Sequence, residues 1–182
     1  MTNVDPGLNE PFKRLFFAVP CSVQQSRAIS RWRGGLGLRS GRPVPAENFH
    51  LTLMFLGAVG VDQLPTILDA AGRLPPLGRP ATLLLDQVEV WRRSQALVLA
   101  SKQTAPALLR WVYALQQAML PLGFEVDPRE FRPHLTLMRD FRGGVPETAL
   151  DTEFRLVAET FVLYESVKGR YQAVAQWPLL AG

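Results

Sequence analysis

Histidine and cysteine are nearly absent from this 182-residue chain: histidine occurs only at His50 and His134, and cysteine only at Cys21. A lone cysteine closes no intrachain disulfide, and its position in the first turn of an expected helix makes a reducing compartment the simplest setting and a reactive thiol the weaker reading. Lysine is also scarce, at Lys13, Lys102 and Lys168, so arginine carries almost all of the basic excess behind a net charge of +4. A pI near 9.7 leans toward an anionic partner, but the basic residues are scattered, and an arginine-rich composition also follows from genome base composition. No run approaches the roughly 20 apolar residues of a membrane-spanning helix. The start, MTNVDPGLNE, lacks the basic and apolar segments of a secretion signal. A soluble cytoplasmic protein without membrane contact is expected.

What is present is ordinary for a globular fold. Hydrophobic residues make up 47% and charged residues 20%, which excludes extensive disorder, and the length suits one domain spanning 1–182 or two small lobes sharing an interface. Alternation and turn residues predict strands over 12–19, 45–57, 81–91, 95–101, 133–138, 154–166 and 170–179. Helices are predicted over 21–33, 61–73 (Pro65 in its first turn) and 104–120, the last with Leu108, Trp111, Val112, Leu115 and Met119 on one apolar face. Residues 92–94 read as a hairpin turn, and 141–151 as a loop with at most a short helix. The order strand, helix, motif strand occurs twice, over 12–57 and 95–139. Such an internal duplication places two lobes across a cleft, each with its motif at the border.

The motif is His-Leu-Thr-Leu, at 50–53 within FHLTLMFLG and at 134–137 within PHLTLMRD. Side chains alternate along a strand, so the histidine and threonine of each copy share one face, with Cα atoms roughly 6.5–7 Å apart, while the leucines anchor the other. A single His-x-Thr is explained by strand propensity and a satisfied buried histidine. Two copies that use every histidine in the chain are not, because strand propensity does not select histidine.

The residue types narrow the chemistry. A zinc site takes three or four ligands from His, Cys, Asp or Glu, and hydroxyls are poor substitutes, so no metal is expected. A Ser-His-Asp triad needs one histidine and leaves the second copy without a role. Two facing imidazoles with ordinary pKa near 6.5 suit paired acid–base catalysis, each role worth roughly 10²–10⁴-fold. The threonines, with an arginine, would hold an anionic centre between them. In-line displacement at a phosphodiester needs this arrangement.

At these residues the sequence resembles the two-histidine phosphoesterase superfamily, and within it the RNA 2′,3′-cyclic phosphodiesterases, also called 2′-5′ RNA ligases. The resemblance runs along RLFFAVP at 14–20, RPVPAENFHLTLMFLG at 42–57, FRPHLTLMRD at 131–140 and FVLYESV at 161–167. It implies an α+β, bilobal fold: two pseudo-symmetric lobes with mainly antiparallel sheets lining a central cleft and helices outside. It also implies metal-independent hydrolysis of an RNA or nucleoside 2′,3′-cyclic phosphate to a 2′-phosphomonoester, without cofactor, with ATP-independent 2′-5′ ligation as a reverse activity, by an enzyme expected to be a monomer.

In that reading His50 and His134 are catalytic, with His50 as acid at the leaving 3′-oxygen and His134 as base on water. Thr52, Thr136 and Arg139 bind phosphate; Arg139 matches the family pattern His-x-Thr-x-x-Arg. Strict alternation turns Arg139 to the leucine face, so a bend or bulge at Met138 is expected. Met54 replaces a polar or basic residue of many relatives. Phe16 or Phe17 and Tyr164 are candidates for stacking on an RNA base, Arg14 and Arg42 for phosphate or RNA-backbone contacts, and Ser166 for the pocket border. The alternatives are a non-catalytic RNA- or nucleotide-binding module, and a superfamily member acting on 2′-5′ oligonucleotides or an ADP-ribose cyclic phosphate.

Overall fold

The computed structural model describes residues 11–180. In chain order the elements are β1 (Phe12–Pro20), α1 (Val23–Gly34), β2 (Arg42–Pro43), β3 (His50–Gly60), α2 (Leu64–Gly72), β4 (Ala81–Leu85), β5 (Gln87–Trp91), β6 (Ala96–Ala100), α3 (Pro106–Met119), β7 (His134–Arg139), β8 (Phe154–Ala158), β9 (Thr160–Val167) and β10 (Arg170–Pro178). One sheet has the order β10-β9-β1-β3 and a second the order β2-β7-β6-β5; β4 and β8 form a two-stranded ribbon. All these pairings are antiparallel. The architecture is the expected α+β one. Each four-stranded sheet carries one motif, on β3 and β7, and these two strands approach with Cα pairs within 8 Å.

The periodicity is reflected directly in the core. Leu51, Leu53, Leu135 and Leu137 are buried together with Ile29 of α1, Ile67 of α2 and the five apolar residues expected on α3. Their opposite-parity neighbours, the motif histidines and threonines, are half-buried. Beside His134 and Thr136 the second sheet presents Ala100 and Val98, their ladder partners, fully buried with Trp91 packed against their cluster.

Several boundaries differ from the sequence reading. The predicted strand 81–91 is two strands in different sheets, divided at Asp86, whose N–H donates to Ala100 O and whose carboxylate accepts the Lys102 N–H at 2.9 Å. The predicted strand 154–166 divides likewise at Glu159, between the ribbon and the first sheet. A run of strand-forming residues carries no mark of which sheet it pairs in. Helix α1 starts after Ser22, whose hydroxyl accepts the Gln25 N–H at 3.1 Å as an N-cap, so Cys21 lies before the helix rather than in its first turn. The first motif strand begins at His50, because Ala46–Asn48 form a 3₁₀ turn.

Both motif strands bulge at the same place. In β3 the register passes from Thr52 to Met54, skipping Leu53, and in β7 from Thr136 to Met138, skipping Leu137. The extra residue reverses the parity. The side-chain burial pattern is accordingly identical over 50–55 and 134–139: half-buried His, buried Leu, half-buried Thr, two buried residues, then an exposed one. That last residue is Phe55 in the first copy and Arg139 in the second. The expected bend near Met138 is therefore present, and it returns Arg139 to the side of His134 and Thr136.

The end of β7 is closed by β2, through the pairs Arg42–Arg139 and Pro43–Met138. Gly41, just before it, has φ +83°, and a Cβ there would stand 2.7 Å from the Arg139 carbonyl oxygen. Gly41→Ala should therefore lower unfolding stability by about 1–3 kcal/mol, measured by denaturant titration; an unchanged midpoint would show that this turn adjusts freely.

Candidate active site

His50 opens β3 and is fixed at both ring nitrogens. Nδ1 lies 2.7 Å from Asn48 O, and because a carbonyl only accepts, Nδ1 carries the proton and donates it. Nε2 then offers its lone pair to the Thr52 hydroxyl at 2.9 Å. Asn48 is itself tied to the β9–β10 turn, its amide donating to Gly169 O at 3.0 Å. Aromatic rings surround the imidazole: Phe16 at 5.0 Å, Tyr171 edge-on at 5.1 Å and Tyr164 at 6.4 Å between centroids. Burial among them, opposed by the Asn48 bond and reinforced by the nearby charges of Arg139 and His134, lowers the His50 pKa to about 4. Arg139 and His134 both lie on β7, the strand that approaches β3.

His134 repeats the local bond, Nδ1–H donating to Arg132 O at 2.9 Å. Its surroundings differ. Trp91 of β5 packs on the ring at 4.2 Å, and the Arg132 guanidinium lies 5.9 Å from the Trp91 ring while pairing with Glu89 at 2.8 Å. Burial lowers the His134 pKa; the Arg132 charge lowers it further, and the Arg132 backbone bond and the Glu89 carboxylate oppose this. Asn48, Glu89, Trp91, Arg132 and Tyr171 were not among the sequence candidates. Only the HLTL repeats single out positions; nothing in the letters of β5 or β10 says that they pack on a motif histidine.

The remaining candidates are placed as follows. Phe16 is buried, 4% exposed, and stacked on Tyr164 at 5.5 Å, so it is a wall behind His50 and not an open base platform. Phe17 lies on the other face, in the core. Tyr164 and Tyr171 are half-buried, and Phe55, 69% exposed, packs against Phe16 at 5.9 Å; Met54 is buried. Arg42 is exposed and paired with Asp140 at 2.7 Å, which engages the fork expected to reach phosphate. Arg14 is exposed on β1, and Ser166 is half-buried on β9 opposite Tyr171. Cys21, with burial pushing its thiol up to about 12, stays protonated and unreactive at neutral pH.

Among the described residues no group of three or more His, Cys, Asp or Glu side chains is placed to hold a metal ion, and no helix is long and apolar enough to cross a membrane. What the site offers is two imidazoles, two hydroxyls and one guanidinium on facing strands.

Comparison with known proteins shows which chains this one resembles. The model for LigT-like phosphoesterases matches residues 19–99 and again 98–174. The chain is 33% identical over 180 residues to the RNA 2′,3′-cyclic phosphodiesterase of Escherichia coli, covering 94% of this chain and 99% of that one. Among solved structures, E. coli LigT complexed with 3′-AMP superposes with a TM-score of 0.79 at 31% identity, over 92% of this chain and 98% of that one. A crystal structure described as a phosphoesterase gives 0.80 at 31% identity, over 94% and 100%.

The two imidazoles should separate in an NMR titration, His50 near pH 4 and His134 at a value depressed from 6.5. Because His50 is held neutral, its stabilising contribution is complete above the unfolded value of 6.5 and is lost as pH falls from there to about 4. Unfolding midpoints should fall over that window less steeply in His50→Gln; equal slopes in both proteins would refute the buried neutral ring.

Proposed function

The chain belongs to the LigT-like phosphoesterase family, and from that membership we infer that it is an RNA 2′,3′-cyclic phosphodiesterase whose reaction is carried by His50 and His134. The observation that supports this reading is the likeness of the two rings: each is pinned through Nδ1 to the carbonyl two residues earlier, which leaves Nε2 as the acceptor nitrogen of each, bonded in His50 to the Thr52 hydroxyl. Thr52, Thr136 and Arg139 supply donors for the non-bridging oxygens of a phosphate between them.

The reaction follows from that placement. Water attacks phosphorus in line with the 3′-oxygen; one imidazole takes the water proton and the other gives a proton to O3′ as the P–O3′ bond breaks. The products are a 2′-phosphomonoester and a free 3′-hydroxyl. If an RNA 5′-hydroxyl attacks in place of water, the same steps give a 2′-5′ phosphodiester, with the strained cyclic ester supplying the driving force and ATP unneeded. The substrate base lies against the exposed and half-buried rings of Phe55, Tyr164 and Tyr171. E. coli LigT has been crystallised with 3′-AMP, ATP and NADP+, which supports a nucleotide as occupant of the cleft; the protein acts as a monomer, since one chain supplies both motifs.

We infer the direction of proton transfer from the groups around each ring, since burial favours the neutral form of both. His50, neutral with its Nε2 lone pair engaged by Thr52, suits the base; His134, with Glu89 opposing the depression of its pKa, suits the acid. The sequence reading has the opposite direction, with His50 as acid and His134 as base. Bound phosphate, being anionic, raises both values.

With a nucleoside 2′,3′-cyclic phosphate, His50→Ala and His134→Ala should each lower kcat by roughly 10²–10⁴-fold with the fold intact and EDTA without effect. Nucleotide binding with no turnover of any cyclic phosphate would favour a binding module instead. The plot of kcat/KM against pH should be bell-shaped, with its acid limb near pH 4 and its alkaline limb lowered from the ordinary histidine value. Sulfur in place of the bridging 3′-oxygen leaves as a thiolate and needs no acid, so this substrate should restore turnover to His134→Ala and not to His50→Ala; rescue of His50→Ala would return the acid role to His50.

A further inference from the structure

Arg33, in the last turn of α1, reaches out of its helix to the backbone beside both motifs. Nη1 donates to the carbonyls of Val44, at 2.6 Å, and Leu137, at 2.9 Å. The guanidinium carbon lies 5.0 Å from the centre of the Phe49 ring, and Phe49 is the residue before His50. Leu137 is the residue that β7 skips in its ladder with β6, and its carbonyl takes two donors at the bulge. The Val44 N–H, at 3.0 Å, continues the β2–β7 pairing, and the Arg33 guanidinium adds a charge-assisted bond stronger than a neutral one.

The bulge at Leu137 is also what turns Arg139 from the leucine face toward the histidines. We propose that Arg33 is a positioning residue: by holding the Leu137 carbonyl it keeps the β7 bulge, and through it Arg139, in the orientation that meets the substrate phosphate. This rests on reading the cleft as the phosphoesterase site. Arg33 does not touch the reacting atoms, and the Phe49 ring fixes the plane of its fork. Lysine reproduces the charge but not a flat fork that lies on a ring while bonding two carbonyls.

A double-mutant cycle with Arg139 separates positioning from general stability. Hydrolysis of a nucleoside 2′,3′-cyclic phosphate is measured for wild type, Arg33→Met, Arg33→Lys, Arg139→Ala and the combined variants, each checked for folding by circular dichroism. Arg33→Met should lower kcat/KM by about 10–100-fold in the wild-type background and by less than about threefold when Arg139 is already alanine, because the effect then has nothing to act through. Arg33→Lys should fall between wild type and Arg33→Met and lose its effect in the same background. A folded Arg33→Met within about threefold of wild type, or a full cost that persists without Arg139, would overturn the proposal. If Arg33→Met does not fold, the same criterion is applied to Arg33→Lys. A wild type without turnover would instead refute the functional reading; affinity for inorganic phosphate, weakened by the Arg33 substitution only while Arg139 is present, then decides the positioning claim.

Discussion

The structure of the cleft depends on one hydrogen bond made twice: a motif imidazole donating Nδ1–H to the carbonyl two residues before it, Asn48 O for His50 and Arg132 O for His134. The bond fixes the tautomer and the ring plane together, leaving Nε2 as the acceptor nitrogen. It also explains why the lead-in to each strand is structured. Asn48 sits in a 3₁₀ turn and is tied to Gly169, while Arg132 is held by Glu89 and lies against Trp91. A carbonyl on a loose loop could not orient a ring; these two segments are anchored by contacts to different sheets.

The second constraint is the bulge. A regular strand would give each motif two residues facing the cleft, then return the next candidate, at the fifth position after the histidine, to the core. Skipping Leu53 and Leu137 brings that fifth residue back to the cleft side in both copies. Equivalent backbones therefore present unlike groups, Phe55 in one and Arg139 in the other. One strand gains an exposed aromatic ring and the other an exposed cation, a difference that follows from a single residue choice on the same backbone.

The sequence displayed much of this arrangement. The histidines, threonines and buried leucines follow from alternation alone, and the apolar face of α3 from its helical spacing. Even the bulge was visible as a conflict, because Arg139 could reach the cleft only if the period of two failed. Less legible was everything set by tertiary pairing: the division of 81–91 at Asp86 and of 154–166 at Glu159, where continuous strand-forming letters pass between sheets. Phe16 shows the same limit. Its place on the motif side of β1 follows from sequence, but its burial under Tyr164, Tyr171 and Phe55 depends on β9, β10 and β3 closing over it. Trp91 and Glu89 carry no motif at all, and only the β5–β6–β7 ladder brings them to His134.

Two identical motifs raise a chemical difficulty, because paired acid–base catalysis needs two imidazoles that differ in proton affinity. Local sequence cannot supply the difference, since both rings make the same bond to the same kind of carbonyl. It comes from the shells around them. His50 is enclosed by Phe16, Tyr164 and Tyr171, with the Arg139 charge acting on it and no carboxylate among the groups that shift it. His134 meets the Arg132–Glu89 pair, whose carboxylate partly restores its affinity for a proton. The aromatic nest on the first sheet thus lowers the proton affinity of His50 with no carboxylate to oppose it, while Glu89 opposes the lowering at His134. Substitutions in the nest should accordingly shift the titration of His50, and substitution of Glu89 that of His134.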